Sequence, residues 1–219
     1  MRFTRITLVA RLLCALVTIV TIESTRARAN VVTFKNGTSF SVGGNNVVNY
    51  SGTQETVRNW SAPNNNYGGW IDWTLGVNSA GHVDDGIIRF DVTAMSGQYS
   101  QINSVTLRMF KYINGESGVF NNVSDRWVDV FTIPAVDNWV EGTAGGAGGA
   151  VQPGTATQSQ PQLGISGPWS NGFALASDNV VVPAGGAFYA NFPLDPNLVN
   201  LNALVSSWSS QPVNSGLLV

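Results

Sequence analysis

The sequence predicts an all-β fold, an antiparallel sandwich or barrel, and three observations carry that expectation. Apolar and polar residues alternate with period two in several stretches of six to nine residues. Segments rich in Gly, Asn, Ser and Thr separate those stretches, and 24 glycines against 11% charged residues suit many tight turns between short strands. Helical spacing is found in a single short segment near the C-terminus.

Residues 1–29 read as a signal peptide. Arg2, Arg5 and Arg11 precede an apolar run from Leu12 to Ile22, and Ala27-Arg28-Ala29 offers a small-x-small cleavage site before Asn30. That run is too short to span a bilayer. A mitochondrial presequence competes, because the segment holds five arginines and one acid. A presequence should be amphipathic, and the unbroken apolar run favours secretion. Cys14, the only cysteine, lies in this segment, so the remainder forms no disulfide. Arg11-Leu12-Leu13 lacks the small residue expected before a lipid-carrying cysteine.

Residues 30–219 are then expected to be one secreted domain, extracellular or at the cell surface, with no membrane span. Five of the eleven basic residues and one of the thirteen acids fall within the leader, which leaves six basic and twelve acidic groups and a net charge of −6. Nucleic acid is a poor partner for such a surface, since phosphate binding draws on clustered Lys and Arg.

The strands follow from the alternation. Gly86 to Val92 places Ile88, Phe90 and Val92 on one face, and Ile87, Arg89 and Asp91 on the other. Asn103 to Lys111 turns Val105, Leu107 and Met109 inward and Thr106, Arg108 and Phe110 outward. Trp127 to Ile133 reads as a strand whose two faces are both apolar, so it has no evident orientation. Ala187 to Phe192 sets Phe188, Ala190 and Phe192 together. Near the C-terminus, Asp195-Pro196 supplies an N-cap and a first-turn proline, and Leu201, Leu204, Val205 and Trp208 repeat at helical spacing before Gln211-Pro212. The Gly-rich run between Gly142 and Gln160 reads as a mobile insertion loop. Leu217-Leu218-Val219 begins an apolar strand that stops after three residues, as a short edge or a truncated element would.

Little in the composition points to catalysis. His82 is the only histidine, and there is no Gly-x-Ser-x-Gly elbow for a nucleophile. Asp84 and Asp85 are adjacent and point to opposite sides in extended chain. Asp137 and Glu141 flank Trp139, either as a solvated turn around a core tryptophan or as a carboxylate pair for glycoside cleavage. The cofactor left open is a structural calcium, with Glu55, Asp84 and Asp85 as hard oxygen donors.

Sugar binding needs less machinery. The C–H face of a pyranose stacks on an exposed ring while planar polar side chains take its hydroxyls. Tyr50 to Trp73 has that mixture. With Val57 inward, Thr56, Arg58 and Trp60 face out; with Ile71, Trp73 and Leu75 inward, Trp70, Asp72 and Thr74 face out. Trp60, Trp70, Tyr67, Asp72 and Arg58 are therefore the candidate carbohydrate contacts, although core packing explains Trp60 or Trp70 equally well.

Six segments also occur in a recognisable order: YSGTQET (Tyr50 to Thr56), NYG (Asn66 to Gly68), IIRFDVT (Ile87 to Thr93), INSVTLRMF (Ile102 to Phe110), Val128 to Gly142 ending in WVEG, and LVSSW with NSGL (Leu204 to Trp208, Asn214 to Leu217). In these the chain resembles the DNRLRE-domain family, a carbohydrate-binding-module-like β-sandwich of secreted microbial proteins. It departs from that pattern at Glu55, where Asp is usual, and in the Gly-rich insertion after Glu141. The resemblance implies a jelly-roll-like antiparallel β-sandwich with one short helix, used as an accessory domain beside polysaccharide-degrading enzymes or in adhesive surface proteins. It implies a non-catalytic module whose partner is a polysaccharide or cell-surface glycan. A purely structural extracellular domain is the alternative, and a polysaccharide lyase or glycoside hydrolase ranks third.

Overall fold

Val57, Ile87 and Val130 are fully buried although they lie on three separate short strands, so the core is assembled by strand pairing distant in sequence. The computed structural model describes residues 31–69, 76–77, 83–111, 125–145, 149–184, 188–211 and 213–219. The signal peptide and the Trp70–Leu75 strand expected above lie outside them. Residues 33–219 form one compact unit.

Among the described residues the strands are β1 (Phe40–Val42), β2 (Asn45–Val47), β3 (Thr53–Asn59), β4 (Asn65–Asn66), β5 (Gly76–Val77), β6 (Val83–Phe90), β7 (Thr106–Lys111), β8 (Arg126–Thr132), β9 (Ala150–Val151), β10 (Ala174–Val182), β11 (Phe188–Pro193) and β12 (Leu217–Leu218), with one α-helix, α1 (Leu201–Ser209). Every ladder is antiparallel. The principal sheet runs β10-β8-β12-β6-β3, with β5 on the far end of β6; β1–β2, β7–β11 and β4–β9 are separate two-stranded ladders. These ladders establish the all-β class with one short helix, but not a jelly-roll strand order.

The principal sheet is buried on both faces. On one, Ile88, Val130, Ala176 and Leu217 pack with Leu107, Ala190 and Phe192 of the β7–β11 ladder and with Leu201 and Trp208 of α1. On the other, Ile87, Phe131 and Leu218 pack under the segment from Ile133 to Phe173, which contributes Trp139, Ala156 and Trp169. Consecutive residues therefore enter opposite cores: Ile87 and Ile88, Val130 and Phe131, Leu217 and Leu218. This is why Val130 and Phe131 of β8 are both apolar, as in strands covered on two sides, whereas Trp127 at the start of β8 is exposed.

Three expectations are corrected. Residues 149–160 are no mobile loop: Thr155, Ala156 and Thr157 are buried, β9 pairs with β4, and Ala156 N donates to the Val140 carbonyl (2.7 Å). Polar side chains order this run in place of apolar mass. Gln152 Oε1 accepts from Thr143 N (2.9 Å), and the fully buried Asn66 donates through Nδ2 to the Glu141 and Ala156 carbonyls (2.6 and 2.9 Å). β12 is no edge, for it pairs with both β6 and β8 in the middle of the sheet. And α1 is capped by Asn200, whose side chain accepts from Ala203 N (3.0 Å), whereas Asp195 closes a preceding turn by accepting from Asn197 N (2.8 Å).

Candidate functional site

Alternate residues of β7 and β11 enter the core, so the rest must form an outer surface. Leu107, Ala190 and Phe192 are buried; Thr106, Arg108 and Phe110 on β7 and Tyr189, Asn191 and Pro193 on β11 are exposed. Register sets them opposite one another, Phe110 with Tyr189, Arg108 with Asn191, and Thr106 with Pro193. Phe110 and Tyr189 are 54% and 49% exposed, their centroids 5.0 Å apart and their planes inclined at 59°. The Arg108 guanidinium lies 4.0 Å from the Tyr189 centroid. That contact is the diagonal of the ladder and contributes about 0.5–1 kcal/mol at an exposed site.

Tyr189 is thus flanked by Phe110 and Arg108, which holds all three in place. Among the described residues, neither the Arg108 guanidinium nor the Asn191 amide makes a side-chain hydrogen bond or ion pair. Two exposed rings beside planar polar groups with unused donors and acceptors can stack on an apolar face while pairing with hydroxyls. Alternation alone places Phe110 and Tyr189 outward. That they are cross-strand neighbours depends on register between residues 79 positions apart, which no local pattern reveals.

The sequence-derived contacts fare differently. Trp60 is 46% exposed at the end of β3. Its backbone is tied down, with its N donating to Asp84 Oδ1 (3.3 Å) while Asn59 Oδ1 accepts from Ser61 N and Ala62 N (2.9 and 3.1 Å). Arg58 does not face solvent, and neither does Thr56; both are buried because the Ile133–Phe173 segment covers that face. The Arg58 guanidinium lies 4.8 Å from the Trp169 ring, 5.4 Å from Phe173 and 3.8 Å from Asp85, and burial lowers its pKa. Tyr67 is 3% exposed, so it is a core residue rather than a sugar contact, and burial raises its phenol pKa. Trp70, Asp72 and His82 fall outside the described residues.

Glu55, Asp84 and Asp85 do not converge on a cation. Asp85 projects beside Arg58 on one face of β6, Asp84 on the other, and Glu55 pairs with Ile88, four residues along from Asp84. Asp84 is committed to Trp60 N and the Asn59 amide. Among the described residues no group of three His, Cys, Asp or Glu side chains is placed to hold a metal. Asp137 and Glu141 are tethers: Asp137 accepts from Ser170 N and Oγ (3.0 and 2.7 Å), and Glu141 Oε1 accepts from Glu55 N (2.9 Å) on the outer edge of β3.

The motifs behind the family resemblance meet in space. Gly68 presses so closely on the Glu141 carbonyl that a Cβ has no room, and Gly142, at φ +77°, abuts the Asn66 amide. Trp139 Nε1 donates to the Ser215 carbonyl (2.8 Å), and the Arg89 guanidinium lies 4.4 Å from the Trp139 ring. NYG, WVEG and NSGL are therefore packing signatures.

Two other surfaces are less suited to a ligand. Trp127 is 67% exposed, but its cross-strand partner is Val181, and nearby Asp129 accepts from Asn179 N (2.8 Å). A groove of about 540 Å³ runs between residues 101–103 and 196–202. Three of its five amides are already engaged, Asn200 in capping α1, Asn202 with Ile102 N (2.7 Å) and Asn197 with Asp195. No known family model, curated protein or solved structure matches the chain.

Proposed function

We propose that the protein is a secreted, non-catalytic carbohydrate-binding or adhesive module, with the outer face of β7–β11 as its principal contact surface. The observation that carries this reading is the exposed Phe110–Tyr189 pair with Arg108 and Asn191 beside it. Glycan recognition calls for rings that are exposed yet immobile, and for bidentate polar groups close enough to read hydroxyls from the same sugar. Trp60, exposed at the end of β3, is a second contact in this reading. The resemblance to the DNRLRE-domain family and the leader-like first 29 residues point the same way.

A glycan array probed with the wild type, Phe110→Ala and Trp60→Ala tests the reading. The expected result is retention of at least one glycan, reduced tenfold or more by Phe110→Ala and more modestly by Trp60→Ala. Because both side chains are about half exposed, thermal melting should fall only slightly and the fold should be retained. No retention by the wild type, or retention indifferent to both substitutions, overturns the assignment of this surface and leaves the structural-spacer reading.

A further inference from the structure

We infer that the β7–β11 face takes a single solvated glycan chain about three sugar units long, and not the flat surface of an ordered, crystalline polysaccharide; this rests on the glycan reading above. An ordered polysaccharide surface presents many parallel chains in one plane, and stacking on it requires several coplanar rings. Here the two exposed rings are inclined at 59°. A flat surface laid against Phe110 would meet Tyr189 obliquely, losing the broad contact that makes stacking favourable. Among the described residues the ladder is also two strands across, about 10 Å at ordinary strand spacing, which suits one chain.

Tyr189 is further restricted because the Arg108 guanidinium lies over its ring, 4.0 Å from the centroid. One face of that ring is already occupied, so the principal stack falls on Phe110. Tyr189 acts as a positioning residue that holds Phe110 and Arg108. The exposed cross-strand pairs form three successive rows: Phe110 with Tyr189, Arg108 with Asn191, and Thr106 with Pro193. At two residues per row these span about 14 Å, the reach of about three pyranose units. A ring row, a row of planar donors and a hydroxyl-bearing row in line fit one extended chain whose units meet them in turn.

The test uses full-length mature protein with soluble and crystalline probes in parallel. Affinity electrophoresis in hydroxyethylcellulose, laminarin and xylan is compared with pull-down on microcrystalline cellulose and crystalline chitin. Titration calorimetry then follows oligosaccharides of increasing length from whichever soluble probe is retained. The expected result is retention by a soluble probe and none by the solids, with affinity rising to about three units and then level. Phe110→Ala should weaken binding at least tenfold, whereas Tyr189→Phe, which keeps the ring, should change it less than threefold. Retention on the solids that Phe110→Ala removes overturns the inference while sparing the glycan reading, as does affinity that still climbs at six units. A protein retained by none of the five probes overturns the inference, and one that also retains nothing on the glycan array overturns the glycan reading with it. Circular dichroism of each variant separates lost binding from lost folding.

Discussion

Glu141 serves three groups at once. Its Oε1 accepts from Glu55 N, its charge faces Arg89, and its carbonyl takes the Asn66 amide. Burial raises the Glu55 carboxyl pKa, with the neighbouring Glu141 adding to the effect. Burial also raises that of Glu141, opposed by the Glu55 N–H and by Arg89. A carboxyl whose folded pKa is raised binds its proton more tightly in the native state. Its favourable contribution is therefore present below the ordinary glutamate range and is lost as pH rises through the raised folded value. Glu55→Gln should thus gain stability relative to the wild type on going from about pH 4 to about pH 7, read by urea unfolding at each pH. A difference independent of pH would count against the assignment. At this scale the sequence was legible wherever a residue answers to its own strand, as Val57, Leu107 and Trp60 do. It misled at Arg58 and Tyr67. Strand parity says which face a side chain takes, but the cover over that face comes from a segment about 80 to 110 residues away, so burial there is set by tertiary packing.

At the scale of elements, the C-terminal helix shows what local pattern can and cannot locate. Leu201, Val205 and Trp208 are buried at the spacing that the sequence displays, and α1 forms where that stripe begins. The N-cap was misplaced because Asp195-Pro196 and Asn200 both satisfy the same composition rule. Asp195 is held elsewhere: its backbone N donates to the Ala176 carbonyl (2.7 Å), and its own carbonyl accepts from Leu198 N and Val199 N (3.0 Å each). The chain makes a separate turn before the helix starts. Asn200→Ala should consequently cost about 1 kcal/mol, the ordinary worth of a side-chain N-cap, with a fall in helical ellipticity that Asp195→Ala does not reproduce. Equal helical losses for the two variants would instead support one continuous helix from Asp195. The Gly-rich stretch failed as a loop expectation for a related reason. Composition registers its lack of apolar mass but not the buried amide of Asn66, which replaces that mass with directed hydrogen bonds.

For the whole molecule, the two residues of β12 are the place where the cores meet. Leu217 belongs to the cluster shared with the β7–β11 ladder and α1; Leu218 belongs to the cluster beneath the Trp139–Trp169 segment. Between them the backbone pairs with β6 on one side and β8 on the other, and Val219 exchanges hydrogen bonds with Gly86 (2.8 and 3.0 Å). A sheet covered on two faces could unfold as one body or shed one covering first. The short central strand decides in favour of one body, since loosening either face disturbs the strand that closes the sheet. Leu217→Ala and Leu218→Ala should each remove about 2–5 kcal/mol, the usual cost of truncating a buried leucine. Both losses should fall on a single transition. Near-UV circular dichroism in a Trp208→Phe background, set against the parent, separates Trp208 in the first core from Trp139 and Trp169 in the second, and the far-UV signal reports the sheet. Coincident midpoints from all signals in both variants are expected. If Leu218→Ala instead melts the tryptophan environment of the second core while the sheet signal persists, that segment is a separable cover, and the aromatic face on β7–β11 stands on a smaller cooperative unit.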